Sequence, residues 1–146
     1  MFRGRFEYTI DSKGRLSIPA KLREVLATRY DERLVVTNFD NCLWAYPFAE
    51  WTKIEEKVAS LPQFMEEVKA LQRVFISAAV ECPIDKAGRI LIPPTLRLYA
   101  GLERDVIIVG MITKIEIWSK ERWNSVFSKA LAAVSSMGDK LSSLGL

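Results

Sequence analysis

The sequence contains no histidine. That absence removes the commonest general base, the commonest metal ligand, and the Ser-His and Cys-His nucleophile pairs. A hydrolytic or metal-dependent enzyme is therefore not expected. Cysteine is scarce. Cys42 and Cys82 form no CxxC pair and have no histidine to complete a zinc site, so neither metal nor cofactor is expected. Two such thiols suit a reducing compartment and burial as small apolar residues. No P-loop and no GxGxxG run is present. The first ten residues carry Arg3 and Arg5 without a following apolar segment, unlike a secretory signal. The longest apolar stretch, Val106 to Ile112, is interrupted by Gly110 and is too short for a membrane span. These absences predict a soluble cytoplasmic protein.

What remains is an ordinary globular composition: 146 residues, 49% hydrophobic, 27% charged and 10% aromatic, with a net charge of +3. Such a chain has room for a real core in one domain or two very small ones.

Its organisation lies in a repeat. Phe6 to Arg23 (FEYTIDSKGRLSIPAKLR) aligns without gaps on Val80 to Arg97 (VECPIDKAGRILIPPTLR), with nine of 18 positions identical. Glu7, Ile10, Asp11, Gly14, Arg15, Ile18, Pro19, Leu22 and Arg23 recur as Glu81, Ile84, Asp85, Gly88, Arg89, Ile92, Pro93, Leu96 and Arg97. Further on, Leu43 aligns with Ile115 and Trp51 with Trp123. The chain is a duplicated unit of half its length.

Each copy predicts the same elements. Strands at Arg5 to Ile10 and Arg15 to Ile18 flank Asp-Ser-Lys-Gly, a turn in which Asp favours entry and Gly supplies a left-handed backbone position. This reads as a hairpin. Pro19 stops the second strand and a short helix begins at Ala20, with Leu22, Val25 and Leu26 on its apolar face. Pro93-Pro94 repeats the device. A second hairpin follows, Leu34 to Thr37 with Leu43 to Tyr46 around Asn38–Asn41, and Val106 to Val109 with Lys114 to Trp118 in copy two. Longer helices carry Trp51, Ile54, Val58 and Leu61, and then Trp123, Val126, Phe127, Ala130, Leu131 and Val134, at helical spacing. Between the copies Pro62 is read as opening a further helix with Phe64, Val68, Leu71 and Phe75 on one side. The Ser- and Gly-containing tail is expected to fray. The units fall at 5–61 and 78–134, with a connecting helix over 62–77 and the tail over 135–146. Neither copy buries much alone, so the two should pack as one pseudo-symmetric body, and apolar surface left on the long helices would favour oligomers.

Asp-x-x-Gly-Arg is the feature to explain. Asp11, Gly14, Asp85 and Gly88 are assigned to shaping the turn. A turn needs nothing of the cation after its glycine, yet both copies keep one, and both keep Arg23 or Arg97 on the next helix. From Met1 to Arg23 six basic residues face two acidic ones, a local net of +4 that exceeds the +3 of the whole chain. From Ser77 to Arg97 the count is three against two. A ribbon projecting such side chains suits polyanion binding, with an arginine fork on guanine O6 and N7 and lysines on phosphates. Glu55-Glu56 and Glu66-Glu67 are solvated helix faces, and Trp51 and Trp123 sit at core or interface positions.

The runs DSKGRLSIP and DKAGRILIPP, their two-copy layout and the chain length closely resemble the MraZ family, transcriptional regulators of bacterial division and cell-wall gene clusters. Each copy is similar to half of a SpoVT-AbrB swapped-hairpin protein, in which two chains usually supply what is duplicated here. The resemblance covers all but the tail. It implies an α+β fold in which halves of the double-split β-α-β type pack as one pseudo-two-fold small β-barrel or sandwich with helices outside. It further implies a nucleoid-associated DNA-binding repressor of its own operon, assembled as a homo-oligomeric ring on short G-containing direct repeats of double-stranded promoter DNA, with no small-molecule substrate. The family's Asp-x-x-x-Arg signature falls on Asp11 and Arg15 and on Asp85 and Arg89. The chain departs at Ala87, where copy one has Lys13, while Lys86 replaces Ser12. Arg15 and Lys13 are therefore expected to make the main base and phosphate contacts, Arg89 and Lys86 secondary ones, with Arg3 and Arg5 adding attraction to the DNA backbone. A dimeric swapped-hairpin regulator, a scaffold whose basic loops bind acidic proteins, and, third, an enzyme using carboxylate, lysine or thiol chemistry are the alternatives.

Overall fold

The computed structural model describes residues 1–146. In chain order the elements are β1 (Arg5–Thr9), β2 (Arg15–Ser17), α1 (Ala20–Arg29), β3 (Arg33–Phe39), β4 (Cys42–Pro47), α2 (Phe48–Ala59) and α3 (Glu66–Leu71), which runs on as a π-helical turn over Gln72–Ile76. The second copy gives β5 (Val80–Pro83), β6 (Arg89–Leu91), α4 (Pro94–Ala100), β7 (Asp105–Met111), β8 (Lys114–Ser119), α5 (Lys120–Ser135) and α6 (Gly138–Ser143).

β1 and β2 do not form the hairpin expected from the sequence. They meet at a single bridge, Ile10 to Leu16. β1 instead pairs antiparallel with β7, from Arg5 opposite Val109 to Thr9 opposite Asp105. β5 pairs with β3, and β2 pairs with β6. The reason is burial. A three-residue strand that ends at Pro19 hides almost nothing against its own neighbour, whereas exchange between the copies places Leu16, Ile18, Ile90 and Ile92 in the common core.

The result is a six-stranded sheet ordered β1-β7-β8-β4-β3-β5 and a two-stranded ribbon β2-β6. Swapping the labels of the two copies reverses the six-strand order onto itself, so a pseudo-two-fold axis passes between β8 and β4. The ribbon, the inner sheet face and the buried sides of α1 and α4 enclose a 20-residue apolar cluster. Proline sets both helix starts: Pro19 precedes α1, and Pro94 takes the first position of α4, where its missing N–H costs nothing.

The later hairpins form as read, β3 with β4 and β7 with β8. Their turns are tighter than expected, because the first is only Asp40-Asn41, both at positive φ (55° and 64°), the mirror-image turn that suits strand twist. The second places Ile112 at φ 68°, unusual for a β-branched residue. Two hydrogen bonds pin it: Phe2 N–H donates to the Ile112 carbonyl at 2.9 Å and Ile112 N–H to that of Phe2 at 2.8 Å.

On the outer sheet face α2 buries Trp51 and Val58, and Trp51 joins Val35, Tyr46 and Phe75 in an aromatic cluster. The connector differs from the reading: Pro62 lies in a turn and α3 starts at Glu66. α5 packs Trp123 against Trp118, but none of its residues is fully buried, and Val126, Leu131 and Val134 are exposed. The tail expected to fray holds α6 instead. Cys42 and Cys82 are free and buried, and burial raises both thiols, Cys82 to about 11 and Cys42 further still. No helix is long and apolar enough to cross a membrane.

Candidate nucleic-acid interface

Each Asp-x-x-Gly-Arg turn is built by its aspartate. Asp11 Oδ1 accepts the backbone N–H groups of Lys13 (3.0 Å) and Arg15 (2.9 Å), while Oδ2 accepts Arg15 Nε at 2.6 Å. Asp85 repeats this with Ala87 (2.9 Å), Arg89 N–H (2.9 Å) and Arg89 Nε (3.2 Å). Gly14 and Gly88 close the turns at φ 90° and 79°, a conformation that side-chain-bearing residues rarely adopt. The Arg15 backbone N–H is the main cause holding the Asp11 carboxyl below its ordinary value, helped by the Arg15 side chain and the Lys13 N–H. Asp85 is lowered in the same way, first by the Arg89 backbone N–H.

The aspartates thus shape the loop and also hold the arginine, and they hold it by Nε alone. Both Nη groups of Arg15 and of Arg89 stay uncommitted, on side chains 39% and 37% exposed. A guanidinium fixed at Nε presents two parallel donors outward, the geometry that pairs with two neighbouring acceptors.

The β2-β6 ribbon brings the two arginines together. Arg15 lies opposite Leu91 and Ser17 opposite Arg89, so the arginines are diagonal neighbours on the outward face, about 7–8 Å apart. Leu16 and Ile90 point the other way, into the core. Lys13 and Lys86 stand exposed at the turn tips. Each turn is also tied to the opposite copy: Ile18 N–H donates to the Gly88 carbonyl (2.9 Å) and Ile92 N–H to that of Gly14 (2.8 Å).

Arg3 and Arg5 are not part of this group. β1 leads away from the first turn, and four residues of strand put Arg5 roughly 13 Å beyond Thr9. There the Arg5 guanidinium sits over the Phe127 ring, 4.6 Å from its centroid, and the Arg3 backbone lies against Gly110. The two turns also differ in surroundings. Arg23, Glu24 and Glu32 share the cleft of Lys86 and Asp85, whereas Lys13 shares its cleft with Arg97 and a single acid, Glu81. Local charge counting missed those acids because they come from α1 and the loop before β3. It also missed Leu91, 59% exposed between the arginines, which only the strand register reveals.

Fold and site together define a class: α+β proteins made of two copies of one β-turn-β-α unit, with strands exchanged and paired Asp-held arginines on a shared ribbon. Comparison with known proteins agrees with the duplication, since the family described as "MraZ protein, putative antitoxin-like" matches twice, over residues 1–74 and 75–141. The chain is 44% identical over 141 residues to a protein of Desulforamulus reducens, covering 97% of each. It is 42% identical over 146 residues to one of Acetivibrio thermocellus, covering all of both, and 48% identical over 130 residues to one of Caldanaerobacter subterraneus subsp. tengcongensis, covering 89% and 88%. Each of these relatives is named "Transcriptional regulator MraZ". The chain belongs to the MraZ family.

Proposed function

We propose that this protein is a sequence-specific DNA-binding transcriptional regulator, not an enzyme. In this reading it represses its own division and cell-wall gene cluster by binding short direct repeats in promoter DNA as a homo-oligomeric ring, in the cytoplasm at the nucleoid. Residues 5–61 and 78–134 act as two units of the SpoVT-AbrB swapped-hairpin type, joined by 62–77 and followed by the tail 135–146. The exchanged pairing of β1, β2, β5 and β6 supports that architecture, and the names of the relatives support the regulatory role.

One observation carries the reading: two guanidiniums on one ribbon face, each tied to an aspartate through Nε with both Nη groups free. A two-stranded ribbon fits the major groove, where such a fork pairs with guanine O6 and N7. Arg15 makes the main base contact and Lys13 a phosphate contact, with Arg89 and Lys86 secondary because of Glu24 and Glu32 beside the second turn. Arg3 and Arg5, off the ribbon, contribute long-range attraction only. The exposed apolar stripe of α5 supports assembly, and neighbouring subunits on successive repeats would gain affinity through effective concentration.

The test is binding of the purified protein to its own upstream DNA, carrying one repeat or several, against unrelated competitor. Selective and much tighter binding to several repeats is expected. Equal affinity for one and several would sink the avidity argument, no preference over competitor would sink sequence recognition, and a dimer mass in solution would sink the ring.

A further inference from the structure

Both copies keep an arginine four residues after the proline that precedes the helix, Arg23 on α1 and Arg97 on α4. Arg23 Nε donates to the Ile18 carbonyl and Arg97 Nε to the Ile92 carbonyl, each at 3.0 Å. That folds each guanidinium back across the ribbon onto the other copy. A Cβ placed on Gly88 would lie 2.8 Å from the Arg23 guanidinium carbon, and one on Gly14 2.8 Å from Arg97 Nε. Each guanidinium therefore lies flat on the glycine of the opposite turn.

Two closed clasps result. In one, the Gly14 carbonyl accepts from Ile92 N–H, the Ile92 carbonyl accepts from Arg97 Nε, and the Arg97 plane covers Gly14. In the other, Gly88, Ile18 and Arg23 repeat the arrangement. A lysine has neither the planar surface nor the fixed Nε donor, so charge alone does not make the clasp.

We propose that Arg23 and Arg97 are positioning residues that act crosswise: Arg97, on the second repeat, sets the turn bearing Lys13 and Arg15, and Arg23, on the first, sets the turn bearing Lys86 and Arg89. The functional consequence rests on the DNA-binding reading above; the structural one does not. Glycine is required at positions 14 and 88 by this clasp as well as by φ. Loss of either arginine frees a turn that presents a base-reading guanidinium, and weakens DNA binding without removing a DNA contact.

Amide hydrogen exchange of the free protein tests the clasp without DNA. Arg97→Ala and Arg97→Lys are each expected to speed exchange at Lys13, Gly14, Arg15 and Ile92 roughly tenfold, the scale of one charge-assisted hydrogen bond, with Ala87, Gly88 and Arg89 unchanged. Arg23→Ala and Arg23→Lys reverse the pattern. Val36 and Ile117 in the sheet report the integrity of the fold, and the lysine variants keep stem and charge, so they carry the test should the alanine variants lose stability. Loosening of a variant's own turn, of both turns equally, or of neither overturns the proposal. On DNA, Arg97→Ala should be non-additive with Arg15→Ala and additive with Arg89→Ala. Unchanged exchange with weakened DNA binding rescued by lysine would make these arginines phosphate contacts and overturn the proposal. Crosswise exchange with DNA binding untouched would uphold the clasp and overturn the function proposed for the ribbon.

Discussion

Replacing Gly14 by alanine should destabilise the protein more than the same change at Gly88, although the two glycines occupy equivalent places in the repeat. Both have positive φ, 90° and 79°, where a Cβ costs about 1–2 kcal/mol. The surroundings separate them. A Cβ on Gly14 would lie 2.6 Å from the Ile92 carbonyl oxygen, a backbone atom in the core cluster. It has to push that strand away, and with it goes the Ile92-to-Gly14 hydrogen bond, about 1 kcal/mol net. A Cβ on Gly88 has the Arg23 guanidinium as its nearest neighbour, at 2.8 Å. That is the end of a side chain that can swing clear at the cost of its Nε hydrogen bond to the Ile18 carbonyl, as Arg97 must also do at Gly14. The expected losses are about 3–4 kcal/mol for Gly14→Ala and about 2–3 kcal/mol for Gly88→Ala. Urea unfolding with a fixed m-value reads both, and at roughly 2–4 °C per kcal/mol the first shifts Tm by about 6–16 °C. Gly138→Ala, with nothing within 4 Å of the added atom, is the control and should stay within about 0.5 kcal/mol. A Gly88→Ala protein as destabilised as Gly14→Ala would refute the reasoning, as would a Gly14→Ala loss below about 0.5 kcal/mol.

Arg15→Ala should cost about 1–3 kcal/mol of DNA affinity and relax discrimination at a guanine, with Arg89→Ala costing less; fluorescence anisotropy on operator DNA measures both, and wild-type binding by a folded Arg15→Ala protein would remove the assignment. Lys13→Ala should weaken binding to every sequence alike and reduce the salt slope by about 1; a sequence-dependent loss at unchanged slope would instead make Lys13 a base contact. Because Asp11 and Asp85 are held below their ordinary value of 3.8, the order they lend the turns is present above that value and lost as pH falls through the lowered one. NMR amide protection at Lys13, Arg15, Ala87 and Arg89 should hold from neutral pH to about 4 and collapse below it, and collapse already above pH 5 would contradict the pairing. Ile112→Asn should stabilise the protein by about 1–2 kcal/mol by relieving a positive φ in a 61% exposed residue; a lower unfolding midpoint would show that the Ile112 side chain matters more than its backbone.

The duplicated run made the turns, the proline-started helices and the later hairpins legible, since each rests on local chemistry: Asp and Gly at fixed places, Pro at a helix start, alternating apolar strands. The partners of β1 and β2 were not legible. Pairing in register within a repeat and pairing across repeats bury the same side chains of those strands, and only the total area enclosed by both copies distinguishes them. For the same reason Arg3 and Arg5, a few residues before the basic turn in sequence, lie at the end of β1 remote from it. The buried Glu116 lies inside an apolar strand pattern; its carboxylate accepts Trp118 Nε1 at 2.9 Å from two residues along the same strand, and only its burial comes from the fold. Of the site, Arg15, Lys13, Arg89 and Lys86 were legible because the repeat places them on equivalent turns, whereas the meeting of the two arginines on one ribbon follows from the exchanged pairing. The clasp on the glycines was foreshadowed only by the recurrence of Arg23 as Arg97.

The exchanged strands also govern how the molecule comes into being. Arg5 waits for Val109, about 100 residues later, and at roughly 5–20 residues per second β1 emerges from the ribosome some 5–20 s before its neighbour exists. Until then β1 is unpaired, the edge of β4 that will meet β8 is bare, and the core cluster lacks part of its walls. Long-range antiparallel pairing of this kind slows folding, so the nascent first repeat is the interval in which the chain is most exposed to aggregation and to chaperones, and a stop codon between the repeats leaves a fragment with no partner for its outermost strand.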